Sequence, residues 1–95
     1  MKITRIIWLR QYVVKIEAKH GIYPEEMRQI LMGAPRIRLV GKGQSHEGEH
    51  LYVAYGQTDS GRYLTIFFIH KAGHEALIIS ARDMDSKERK HYGKK

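Results

Sequence analysis

LYVAYGQ at 51–57, GRYLTIFFIH at 61–70 and EALIISAR at 75–82 are three consecutive segments rich in β-branched and aromatic residues. Thr58-Asp59-Ser60-Gly61 and Lys71-Ala72-Gly73 separate them, and links this short, made of turn-forming residues, predict an antiparallel meander. The middle segment is apolar on both alternations, with Leu64, Ile66 and Phe68 against Phe67 and Ile69. Such a strand must be covered on both faces, which predicts a central position in the sheet.

Upstream, RIRLV at 36–40 alternates, so a strand there would carry Ile37 and Leu39 on one side and Arg36 and Arg38 on the other. Residues 2–7 read as a further short strand. Leu9, Val13 and Ile16, with Trp8 and Tyr12 beside them, recur at helical spacing, and this helix should close near Lys19-His20-Gly21. A second helix starts at Pro24, where Glu25 and Glu26 suit the positive end of the dipole, runs through Met27, Ile30 and Leu31, and is ended by Gly33 and Pro35. In the tail, Asp85 followed by Glu88 resembles a capping box and predicts a short C-terminal helix. The expected architecture is α+β: a small antiparallel sheet with an N-terminal strand, two helices packed on one face, and a short C-terminal helix, in one domain over 1–95.

HEGEH at 46–50 satisfies the zinc-protease pattern H-E-x-x-H, whose chemistry needs both histidines one turn apart on a helix. Gly41, Gly43 and Gly48 crowd the segment and a strand is expected from Leu51, so the stretch reads as a loop and the match as coincidence. His70 and His74 share the spacing but fall across a turn. No metal site or cofactor is expected. Nor does any of Ser45, Ser60, Ser80 or Ser86 occupy a strand-to-helix nucleophile turn.

Seventeen Lys and Arg against ten Asp and Glu leave a net charge of +7, which points to an anionic partner, with nucleic acid first. The absence of cysteine excludes disulfides and thiolate metal sites. Thr4 and Arg5 interrupt the apolar N-terminus and no small-residue cleavage site follows, against a signal peptide. The longest apolar stretch, 63–69, is too short for a membrane helix, so a soluble cytoplasmic protein is expected. A basic domain with arginines, histidines and tyrosines can cleave RNA without a metal, because RNA brings its own nucleophile, the 2′-hydroxyl.

KHGIYPEEMRQIL, HEGEHLYVAYGQTDSGRYLTIFF and IISARDMDSKERKHY, taken in order, resemble the BrnT-type toxins of bacterial toxin–antitoxin systems, within the wider RelE-like ribonuclease superfamily. The resemblance spans nearly the whole chain. It implies a metal-independent endoribonuclease acting on cellular RNA and held inactive by a cognate antitoxin, a DNA-binding protein of ribbon-helix-helix type in a two-plus-two assembly. The alternative is a non-catalytic basic module that binds RNA or protein.

Carried over residue by residue, the resemblance assigns catalysis to Arg62, Arg82, Tyr92 and His20. Arg82, which by strand alternation should point with Ser80 and away from Leu77 and Ile79, is the leading candidate to stabilise the phosphate charge. Lys19, Arg36, Arg38, Lys87, Arg89, Lys90 and His91 are the expected RNA-binding set, and added salt should weaken their hold. The reading requires Arg62, Arg82 and Tyr92 to meet in one cationic pocket. Tyr23 departs from the family pattern, standing where a small capping hydroxyl commonly precedes Pro24.

Overall fold

The structure, a computed structural model, describes residues 1–41 and 49–93. Its elements are β1 (Arg5–Ile7), α1 (Arg10–His20), α2 (Pro24–Leu31), β2 (Arg36–Gly41), β3 (His50–Gln57), β4 (Tyr63–Lys71), β5 (Glu75–Asp83) and α3 (Ser86–Gly93). The five strands make one sheet in the order β1-β5-β4-β3-β2, so β4 is central as its two apolar alternations require. β2 to β5 form the antiparallel meander. The sheet is nevertheless mixed: β1 is shorter than expected and pairs with β5 in parallel, Ile6 opposite Ala76. Hairpin links force neighbours to run antiparallel, whereas β1 reaches β5 only after most of the chain has intervened, and a long connection permits parallel pairing.

Cross-strand register sorts the side chains onto two faces. Ala54, Leu64, Ile66, Phe68, Ile78 and Ala81 share one face and are fully buried against Ile16 of α1 and Met27, Ile30 and Leu31 of α2. Helix α1 ends at Gly21, whose φ of 61° is left-handed and whose N–H donates to the Glu17 carbonyl. At the start of α2 the Glu26 carboxylate accepts from the Tyr23 N–H at 3.0 Å, so the tyrosine at the cap position is served from within the helix although its own side chain makes no cap bond. Gly56 lies directly under α2, where any Cβ would stand 2.6 Å from Ile30 Cγ2.

Among the described residues, α3 is the helix that covers the opposite, outer face. Asp85 and Glu88 make the expected reciprocal cap: the Glu88 N–H donates to Asp85 Oδ1 at 2.7 Å, and the Asp85 N–H to Glu88 Oε1 at 3.0 Å. No residue of α3 is buried, so it rests on the sheet through polar and ring contacts.

One expectation of alternation is corrected. Phe67 pairs with Ser80 while Phe68 pairs with Ile78, leaving Ile79 as an extra residue in β5. This bulge shifts the alternation by one, so Leu77 shares the outer face with Ser80 and Arg82 instead of opposing them. The expected loop over 41–50 falls mostly on residues 42–48, outside the described set. Gly41 ends β2, and His50 begins β3 opposite His70, so the second histidine of the zinc pattern stands on a strand and not on a helix.

Candidate nucleic-acid interface

Register places Arg36 opposite Tyr55, Tyr55 opposite Thr65 and Thr65 opposite Arg82, a row across β2, β3, β4 and β5 on the outer face. The next row begins with Arg38 beside Val53. Arg38 donates to the Tyr55 hydroxyl at 3.1 Å, which raises the guanidinium above its usual pKa and ties two strands together by their polar ends. Alternation in β2 puts both arginines here because Ile37 turns to the core.

Helix α3 closes over this row. Its Glu88 carboxylate accepts hydrogen bonds from Arg82 Nη1 at 2.6 Å and Nη2 at 2.8 Å, and from the hydroxyl of fully buried Thr65 at 3.1 Å. Hydrogen bonding from Arg82 holds the Glu88 carboxyl below the ordinary carboxylate range, against the opposing effect of burial. The same bond raises the Arg82 guanidinium, which also lies 5.7 Å from the Phe67 ring centroid. One turn beyond Glu88, Tyr92 lies with the Arg36 guanidinium 5.5 Å from its ring centroid. Between β2 and α3 opens a cleft of about 590 Å³ lined by Arg36, Arg38, Tyr55, Lys87, His91 and Tyr92 together with the carboxylates of Asp85 and Glu88.

Not every expected residue belongs to this cleft, and the single-pocket expectation is not met. Arg62 precedes β4 on the helix side of the sheet. Its Nε and Nη2 grip Asp83 at 2.8 and 3.1 Å, Nη1 donates to the Gly21 carbonyl at 2.9 Å, and Nη2 donates to the His20 carbonyl at 3.0 Å. Both Glu26 oxygens lie 3.3 Å from Nη1. Arg62 thus joins the end of α1, the start of α2 and the end of β5, serving the carbonyls that a helix leaves unpaired at its C-terminus. Its hydrogen bond holds the Asp83 carboxyl below the usual range. His20 and Lys19 sit at this same junction, across the sheet from Arg82 and Tyr92. Of the expected RNA-binding set, Arg36, Arg38, Lys87 and His91 line the cleft, whereas Arg89 and Lys90 face away from it on the far flank of Tyr92.

Tyr55, Thr65 and Glu88 are not among the site residues expected from the sequence. The parity of Tyr55 within 51–57 was legible, but which arginine it would meet depends on register. Glu88 was legible only as a cap. Among the described residues no cluster of His, Asp or Glu could hold a metal ion.

The arrangement offers fixed guanidinium groups, phenolic hydroxyls and an imidazole around an open cleft, a set able to hold a phosphodiester and move protons without a cofactor. No curated protein matches the sequence at a significant level. Residues 13–88 match the family described as the ribonuclease toxin BrnT of type II toxin–antitoxin systems, and with most of its length inside that match the chain belongs to this family of RNA-cleaving toxins.

Proposed function

We propose that the outer-face cleft is where this ribonuclease toxin binds and cuts RNA, by metal-independent attack of a 2′-hydroxyl on the adjacent phosphorus. Arg36, Arg38 and Lys87 hold the phosphate backbone. Arg82, which does not itself line the cleft but is bound to the lining carboxylate of Glu88, stabilises the charge that grows on the phosphoryl oxygens in the transition state. His91 takes the 2′-hydroxyl proton, and Tyr92 returns one to the departing 5′-oxygen as the P–O5′ bond breaks, leaving a 2′,3′-cyclic phosphate and a free 5′-hydroxyl. Arg62 and His20, across the sheet, act as structure in this reading.

The observation that carries it is the convergence of cations from β2 and α3 on one open cleft whose walls also hold proton-transfer groups. A type II system pairs such a toxin with an antitoxin protein. We take that partner to be a DNA-binding protein of ribbon-helix-helix type, the assembly to be two-plus-two and the compartment to be the cytoplasm. In keeping with this, no helix of the described residues is long and apolar enough to cross a membrane.

The test is RNA cleavage and growth arrest by the single variants Arg82→Ala, His91→Ala and Tyr92→Phe, each first shown to melt like the parent. Cleavage should persist in chelator and fall by about a hundredfold or more for His91→Ala. Parental activity in all three variants rejects the cleft as the active site. A folded protein that cuts no RNA under any condition supports the binding-module alternative.

A further inference from the structure

The cleft has a neighbour. On the other side of Tyr92 lies a second open cleft, about 740 Å³, lined by Gln57, Tyr63, Arg89, Lys90 and Tyr92. Tyr92 is the wall common to both. Four side chains cross this wall in series, two rings between two guanidinium groups. The Arg36 guanidinium is 5.5 Å from the Tyr92 centroid, Tyr92 meets Tyr63 edge to face at 6.0 Å and 77°, and the Arg89 guanidinium lies 4.3 Å from the Tyr63 centroid.

We propose that the second cleft is a nucleotide subsite, in which an unpaired base stacks on the Arg89–Tyr63 pair while the strand continues over Tyr92 into the cleavage cleft. This rests on the outer face being the RNA site. Three features favour a nucleobase over a further phosphate. Arg89 lies against a tyrosine ring, so its planar guanidinium offers an exposed stacking surface, the mode by which arginine and aromatic side chains hold splayed bases. Gln57, which donates its amide N–H to the Gly61 carbonyl at 3.2 Å, places an amide at the rim where a base edge would lie. Spacing also fits: Tyr63 is paired with Gln57, one row beyond the Tyr55–Thr65 pair on the same face. Two residues along a strand advance about 6.8 Å, the scale of one nucleotide step in an extended single strand. Lys90 supplies the charge for the intervening phosphate.

The ligand is therefore single-stranded RNA long enough to straddle Tyr92; a duplex could not pass its bases over that ring. Binding of a 2′-O-methyl oligonucleotide of about ten nucleotides, which cannot be cut by 2′-hydroxyl attack, tests this by fluorescence anisotropy. Arg89→Ala and Tyr63→Leu should each weaken binding roughly tenfold, within the range of one lost base stack. Arg89→Lys should weaken it nearly as much while keeping the parental salt slope, because lysine keeps the charge and loses the plane. Parental affinity in Arg89→Lys reduces the subsite to a phosphate contact and overturns the proposal. Parental affinity in Arg89→Ala and Tyr63→Leu, with a loss in Arg36→Ala, removes the subsite and leaves the cleavage cleft standing. No loss in any of the variants rejects the outer face itself. Loss of antitoxin binding in Arg89→Ala with RNA binding intact assigns the surface to the protein partner and also overturns the proposal.

Discussion

Arg62 separates a structural role from a catalytic one, and removing it decides between them. In Arg62→Ala, Asp83 loses two charge-assisted bonds at 2.8 and 3.1 Å, and the Gly21 and His20 carbonyls lose donors at 2.9 and 3.0 Å. Hydrogen bonds to charged groups contribute about 1.5–3 kcal/mol each when well shielded, whereas exposed ion pairs contribute about 0–1. Arg62 keeps 29% of its side chain exposed and Asp83 57%, so the carboxylate pair belongs near the lower figure. The two helix-terminal carbonyls supply most of the rest. A loss of roughly 2–3 kcal/mol follows, neither a surface value nor the roughly 3–5 of a broken buried pair. For a domain of this size that lowers the melting temperature by about 10–20 °C. Urea unfolding followed by circular dichroism measures it, with Arg62→Lys expected to recover little because one ammonium cannot serve three elements at once. Stability within about 0.5 kcal/mol of the parent, combined with lost RNA cleavage, refutes the clamp and returns Arg62 to the chemistry.

Two other perturbations address the core and the acid limb. Gly56→Ala should cost about 1–3 kcal/mol in urea unfolding, since the new methyl would meet Ile30 Cγ2 at 2.6 Å and Cγ1 at 3.1 Å. Ile30→Ala in the same chain should make the pair less than additive, and strict additivity would show that the clash is absent. Glu88 and Asp83 both have carboxyl pKa values depressed in the folded state, chiefly by hydrogen bonds from Arg82 and Arg62. Each therefore stabilises the fold above its unfolded pKa, and that stabilisation disappears as pH falls through the lower folded value. Stability should decline below about pH 4, and Glu88→Gln should flatten part of the decline; an unchanged acid limb in that variant contradicts the Arg82–Glu88 bond.

Much of the fold was legible because it follows from local patterns. Alternation marked β2, runs of β-branched and aromatic residues between turns marked β3 to β5, and helical spacing with Pro24 and Gly21 marked α1 and α2. The Asp85–Glu88 cap marked α3. What escaped depends on pairing between distant segments. The bulge at Ile79 reversed the alternation used to aim Arg82 relative to Leu77, since an inserted residue leaves no mark in an apolar run. The resemblance assigns Arg62 to catalysis, and nothing local in the sequence reveals its partners Glu26 and Asp83, which lie 36 and 21 residues away. The arginine that a sequence shows at a strand start is the same whether it faces solvent or clamps two helices. Basic character was legible for Arg36, Arg38, Lys87 and His91, but not the row that aligns Arg36 with Tyr55, Thr65 and Arg82, because register is a property of the folded sheet.

The parallel pairing of β1 has a consequence for how the molecule is made. Arg5 finds its partner in Glu75, about seventy residues later, so β1 must wait until β5 has been made. Pairing across so long a stretch of chain forms slowly. Until β5 has emerged, neither the sheet edge that receives β1 nor the strand that carries Arg82 exists, so the outer face that holds the proposed RNA cleft is completed only late in synthesis.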